Sequence, residues 1–183
     1  MKELSLHILD IVQNSVKAGA TLITITVEEN TASDVLRITI GDNGCGMDND
    51  LLRRVRDPFT TTRTTRKVGM GIPLLEAAAV QCGGSLDIQS ALGVGTTLTV
   101  WFQRSHIDRA PLGDMPATIG TLVSGSPELD FVYTHQFNGA SFVFDTREIR
   151  GVLGEVSLGE PEVVSWIQEY IREKLSSLTM NQA

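Results

Sequence analysis

Sulfur chemistry is scarce in this chain. Its only cysteines are Cys45 and Cys82, which form neither a CxxC pair nor a metal-ligand spacing. That pattern gives no disulfide framework and points to a reducing, cytoplasmic setting. The three histidines, His7, His106 and His135, are scattered and give no basis for a zinc site. Positive charge is also short: 15 Lys and Arg stand against 22 Asp and Glu, a net −7. This argues against non-specific binding to nucleic acid or to an anionic membrane. No apolar run approaches the roughly 20 residues that span a bilayer. No signal peptide is expected, because the N-terminus enters an amphipathic pattern at once. There is no Walker-type GxxxxGK[ST] loop, no internal repeat and no low-complexity tract.

What remains is the composition of a folded protein. With 183 residues, 42% hydrophobic and 20% charged, the chain suits one domain with a sizeable core, or one domain plus a small appendix. Residues 2–18 read as a helix stopped at Gly19. "TLITITVEE" and "VLRITIGD" alternate as half-buried strands around a turn, which predicts a hairpin. "DNDLLRRVRD" reads as a short helix. "DPFTTTRTTRKVGMG" has little periodicity and reads as a loop. "IPLLEAAAVQCGG" reads as a helix closed by Gly83 and Gly84, and "SLDIQSA" and "TTLTVWF" as strands joined by "LGVG". Composition shifts over 104–116, a linker by appearance, which divides the chain into 1–103 and 117–183. Beyond it "ATIGTLVS", "LDFVYTHQF" and "ASFVFDT" read as three strands. A last helix is expected over about 162–178, with Val163, Val164, Ile167, Ile171 and Leu175 as its apolar stripe.

On the first helix Asp10, Asn14 and Lys17 fall at i, i+4 and i+7, so an acid, an amide and a cation share one face. Three glycine-rich pieces follow: "DNGCGM" from Asp42 through Gly44 and Gly46 to Met47, "GMGI" from Gly69 through Met70 and Gly71 to Ile72, and "GVGTT" from Gly93 to Thr97. Any one alone reads as a surface turn. Together and in this order, from about Leu4 to Phe102, they resemble the ATP-binding domain of the GHKL superfamily. That superfamily, with its Bergerat fold, holds histidine kinases, anti-sigma kinases, gyrase-type ATPases, Hsp90-type chaperones and mismatch-repair ATPases. "DIVQNSVKAGA" is similar to its N box, "DPFTTT" to its F box, and the three glycine pieces to its glycine boxes.

The resemblance implies an α/β sandwich: a mixed, mostly antiparallel sheet with helices on one face, followed here by a C-terminal βββα piece that either extends the sheet or forms a small lobe. It implies ATP and Mg²⁺ as cofactors. Asn14 would complete the Mg²⁺ shell with a hard oxygen. Asp42 would accept a hydrogen bond from the adenine amino group, Gly44 and Gly46 would let the backbone approach the base and phosphates, and Met47 would join them at the nucleotide. Phe59 and Thr60 belong to the F box. Arg63, Arg66 and Lys67 are lid cations, of which one is expected on phosphate. Gly69 and Gly71 would hinge the lid and approach the phosphates, Met70 and Ile72 of the same box would join the nucleotide site, and Thr97 supports the adenine end or is an ordinary strand threonine. Lys17 stands where histidine kinases place a cation toward the phosphates, so the chain leans to that branch. Asp10 stands where hydrolysing members carry a general base, and a structural role is equally open. His7 reads as a helix-face histidine, since the phosphoacceptor hairpin of histidine kinases is not seen upstream. Cys45 reads as a small filler.

Three functions follow from the resemblance. One is an ATP·Mg²⁺-binding kinase-type domain acting in regulation or signalling on a partner protein. Another is a slow ATPase or nucleotide switch gating assembly of a partner complex. The third is a non-catalytic adaptor. A homodimer is one arrangement open to it.

Overall fold

The computed structural model describes residues 3–57 and 70–181. The chain runs α1 (Leu4–Lys17), β1 (Leu22–Asn30), β2 (Val35–Asp42), α2 (Asn49–Arg54), α3 (Gly71–Gln81), β3 (Ser85–Ala91), β4 (Gly95–Gln103), α4 (Met115–Gly125), β5 (Asp130–Phe137), β6 (Ala140–Asp145), α5 (Thr146–Leu153) and α6 (Pro161–Met180). The six strands form one sheet in the order β3-β4-β2-β1-β5-β6. Only the β1–β5 pairing is parallel. The mixed, mostly antiparallel sheet with helices on one face is therefore present.

Strand alternation decides which face the helices cover. The register places Ile88, Leu98, Ile40, Ile25, Tyr133 and Phe144 side by side across all six strands. Every one of them is buried. One residue along each strand, the opposite face carries Thr26, Thr39, Thr99 and Thr134, again in register. A sheet with one apolar and one polar face must be covered on the first and can be solvated on the second. On the apolar side α1 sets Leu4, Ile8, Ile11 and Val12 into the core, α4 sets Ile119 and Val123, and α6 sets Ile167 and Ile171.

The C-terminal strands extend the sheet rather than forming a lobe, because β5 lies against β1 with Ile25 beside Tyr133. One expectation needs correction here, and one helix goes beyond the sequence pattern. "ATIGTLVS" is not a strand: Met115–Gly125 is a helix, so the C-terminal piece is αββαα and not βββα. Its β-branched residues favour a strand, but Asp114 caps the helix by accepting from the Ala117 N–H at 2.9 Å, and Pro116 sits in the first turn. Residues 146–153, assigned to nothing from sequence, form α5, capped by Asp145. The 104–116 segment is tied to α1, whose Leu4 and Ser5 N–H groups donate to the carbonyls of Pro111 and Leu112 at 2.9 and 2.8 Å.

Candidate functional site

The face of α1 that meets the sheet end carries the site. Between α1, the ends of β2 and β4, and the start of α3 lies a cavity of about 660 Å³. Its floor is apolar, formed by Ile40, Ile88 and Leu98 of the sheet and Ile72 of α3. Asn14, Ser15, Lys17, Asp42 and Thr96 supply the polar part of its wall. A mostly apolar hollow with a few placed polar groups is the usual form of a small-molecule site.

Asp42 is fixed at both carboxylate oxygens. Oδ2 accepts from the Ser15 hydroxyl at 2.5 Å, and Oδ1 accepts from the Gly44 N–H at 2.9 Å. Gly44 leaves no room for a side chain, since an added Cβ would lie 2.9 Å from the Ala18 Cβ and 3.1 Å from Asp42 Oδ1. At Gly46 the backbone is left-handed, with φ 69°, and a Cβ would meet the Ala91 carbonyl oxygen at 2.0 Å. Gly46 admits only glycine because two backbones pass in contact, and Gly44 because the Ala18 residue and the Asp42 carboxylate close on it. Cys45, between them, donates its N–H to Ala18 and accepts from Gly93, which ties the first glycine loop to α1 and to the β3–β4 turn. Its thiol is exposed on the cavity wall, not packed as a filler. Next in line, the Met47 N–H donates to Ser90 Oγ at 2.8 Å, and Ser90 Oγ lies 2.8 Å from the Thr96 hydroxyl.

Asn14 and Lys17 line the cavity one turn apart, as their spacing predicted. Asp10 is exposed a turn before Asn14, against the first residue of α3: a Cβ on Gly71 would sit 3.3 Å from the Asp10 Cβ. Of the second glycine box, Met70 points outward and Ile72 lines the cavity. Of the two readings of Thr97, the ordinary strand threonine agrees with its placement. Its side chain lies on the polar face of β4, across from Gly41 and away from the cavity, while Thr96, one residue earlier, faces in. A one-residue shift along a strand reverses the face, so the neighbouring threonine takes the place. Phe59, Thr60, Arg63, Arg66, Lys67 and Gly69 lie outside the described residues.

The sequence reading passed over Ser15, Thr96 and Ser90. Ser15 had a visible signal: it continues the Leu4–Ile8–Ile11 stripe, where a hydroxyl has no apolar reason to be. His7 is also buried, 4% exposed, and its Nδ1 finds no hydrogen-bond partner among the described residues. Burial pushes its pKa below the ordinary 6.5, with the Asp10 carboxylate opposing. No group of three or more His, Cys, Asp or Glu able to hold a metal ion occurs among the described residues.

Residues 2–106 match a family model described as histidine kinase-, DNA gyrase B- and HSP90-like ATPase. The chain is similar to the histidine protein kinase DivJ of Caulobacter vibrioides, 32% identical over 97 residues, which covers 51% of this chain and 16% of that one. It is also similar to the sensor protein kinase FleS of Pseudomonas aeruginosa, 36% identical over 93 residues, covering 51% of this chain and 23% of that one. The chain thus spans less than a quarter of the length of these curated relatives. Among solved structures, the N-terminal domain of a DNA repair protein superposes with a TM-score of 0.58 at 14% identity, covering 85% of this chain and 58% of that one. That likeness concerns the fold alone, and it reaches beyond the segment the family model matches.

Proposed function

Because the chain belongs, through residues 2–106, to the family of histidine kinase-, DNA gyrase B- and HSP90-like ATPases, we propose that it binds ATP with Mg²⁺ and uses it as a kinase-type domain in signalling or regulation, on or with a partner protein. The observation that carries this reading is the anchored Asp42 carboxylate at the end of an apolar cavity, with Asn14 and Lys17 on its wall. An apolar slot closed by one carboxylate fits a purine that offers an amino donor. Gly44 and Gly46, where neighbouring atoms already occupy the place of a side chain, fit a nucleotide held by main chain.

The donor set also fits Mg²⁺ carried by the nucleotide. Mg²⁺ is commonly held by one or two protein oxygens together with phosphate oxygens and water, so it needs no protein cage. Asn14 would offer its amide oxygen, and Lys17 would face the phosphates. When bound, Mg²⁺ neutralises charge on the phosphate oxygens. The N-terminus of α3 at Gly71 offers the positive end of its dipole to the same charge. The lid cations Arg63, Arg66 and Lys67 would complete the phosphate site.

Two matched relatives are named as kinases, which favours phosphoryl transfer to a partner. The slow-ATPase reading rests on Asp10, an exposed carboxylate beside the start of α3. Titration of a fluorescent ATP analogue, with and without Mg²⁺, tests the proposal. Wild type should bind. Asp42→Asn should weaken binding about tenfold or more, as expected for a lost hydrogen bond to a charged group. Asn14→Ala should abolish the gain from Mg²⁺. Wild type that binds no nucleotide would leave the adaptor function. Phosphate release lost in Asp10→Asn, with ATP still bound, would favour the ATPase switch.

A further inference from the structure

Ser15 is a polar residue on a face of α1 that otherwise enters the core. It is 4% exposed. A serine within a helix commonly turns its hydroxyl back to the carbonyl four residues earlier. Here the hydroxyl leaves the helix and donates to Asp42 Oδ2 at 2.5 Å, within the range of a charge-assisted O–H···O bond. Asp42 Oδ1 is held separately by the Gly44 N–H. A carboxylate gripped at both oxygens by donors on different elements cannot rotate about its terminal bond. The plane of the carboxylate is then fixed relative to the cavity that both residues line.

We propose that Ser15 is a positioning residue that sets base selectivity: by fixing the Asp42 carboxylate plane, it makes the cavity select purines that carry a 6-amino donor. The inference rests on the nucleotide reading above and goes beyond it, since that reading needs Asp42 alone. An alanine at 15 would suit the helix and the core equally well. What it would remove is the anchor on Oδ2. The Ser15 hydroxyl donates its only proton to Asp42, so it acts through that carboxylate rather than on the base. A purine with no group at position 6 makes no use of the Asp42 orientation, and one with a 6-oxo group meets the carboxylate acceptor to acceptor.

The test compares ATP with purine riboside 5′-triphosphate, which lacks the 6-amino group, by calorimetry on the whole chain. Wild type should prefer ATP. Ser15→Ala should lower ATP affinity about fivefold, the size of one ordinary hydrogen bond, and leave the analogue unchanged. In an Asp42→Asn background the same substitution should have no effect on ATP. Ser15→Thr, which keeps a hydroxyl, should retain most of the ATP preference. Ser15→Ala that weakens both ligands equally would mark a structural role and overturn the proposal. So would Ser15→Ala with ATP binding unchanged. If wild type binds neither ligand, the nucleotide reading itself falls, a result distinct from the other two.

Discussion

His7 shows how one residue couples the site helix to solution conditions. Its imidazole is buried near the start of α1, with Nδ1 unpartnered among the described residues. Burial lowers its folded-state pKa below 6.5. Between the folded and unfolded values the folded chain therefore binds fewer protons than the unfolded one. Stability is then full above about 6.5 and falls as pH drops toward the folded value. Urea unfolding at pH 7.5 and pH 5.5 should show wild type losing stability on acidification, and His7→Leu losing less. Equal losses in the two proteins would remove His7 as a source of the slope. The site itself was unevenly legible at this scale. Asn14, Lys17 and Asp42 carry motif positions, and helix spacing alone places the first two together. Thr96 and Thr97 are identical in type, and only strand register decides which faces the cavity. For Ser15 the helix stripe shows a misplaced hydroxyl, but its partner Asp42, 27 residues away, is encoded in no local pattern.

At the scale of elements, α6 illustrates a helix whose reading from sequence held. Its apolar stripe predicted burial, and Ile167 and Ile171 are fully buried where α6 meets α4 and the β5–β6 edge. Its other face keeps Trp166 49% exposed, stacked on Tyr170 at 5.1 Å. Ile167→Ala should cost about 2–5 kcal/mol, the range for emptying a core isoleucine site. That would lower the melting temperature by several degrees or more. No α6 residue lines the cavity beside Asp42, so under the proposed function ATP affinity at 25 °C should stay within about twofold. A calorimetric scan paired with an ATP titration checks both; a large affinity loss would mean that α6 supports the site. The packing partner was the harder element to read. In α4 the alternation of Thr, Ile, Gly and Leu imitates a strand, and the decisive information is the Asp114 cap and Pro116, which set the backbone before the apolar residues begin. In α5, Gly151 and the charged surface of "REIRG" hide a helix capped at once by the last residue of β6.

For the molecule as a whole, the parallel pairing of β1 with β5 has the widest consequence. Without it β1 would be an edge strand; with it, β1 is enclosed between β2 and β5. Glu29 and His135, 106 residues apart in sequence, then meet at 3.1 Å, while His135 also contacts the Tyr133 hydroxyl at 2.7 Å and Glu29 holds Arg104 at 3.0 Å. Burial pushes the Glu29 carboxyl up, and the bonds and charges of His135 and Arg104 outweigh it, holding it below its ordinary value. Hairpin pairing is written in neighbouring residues; a parallel pairing at such separation is not, which is why the place of the C-terminal piece stayed open from sequence. One sheet with one shared core should unfold as one unit. The two tryptophans make this measurable, since Trp101 lies on β4 and Trp166 on α6. With Trp166→Phe and Trp101→Phe made in turn, the remaining tryptophan reports the family-matched part or the C-terminal part. Urea transitions followed by fluorescence should coincide in midpoint once each variant's own stability, measured by circular dichroism, is taken into account. Two separated transitions within one variant would mean that β5 and β6 dock onto an independently stable domain. A fragment of residues 1–106 sharpens the comparison: it would expose the backbone edge of β1 beside Ile23, Ile25 and Val27, and should aggregate where the whole chain stays monodisperse.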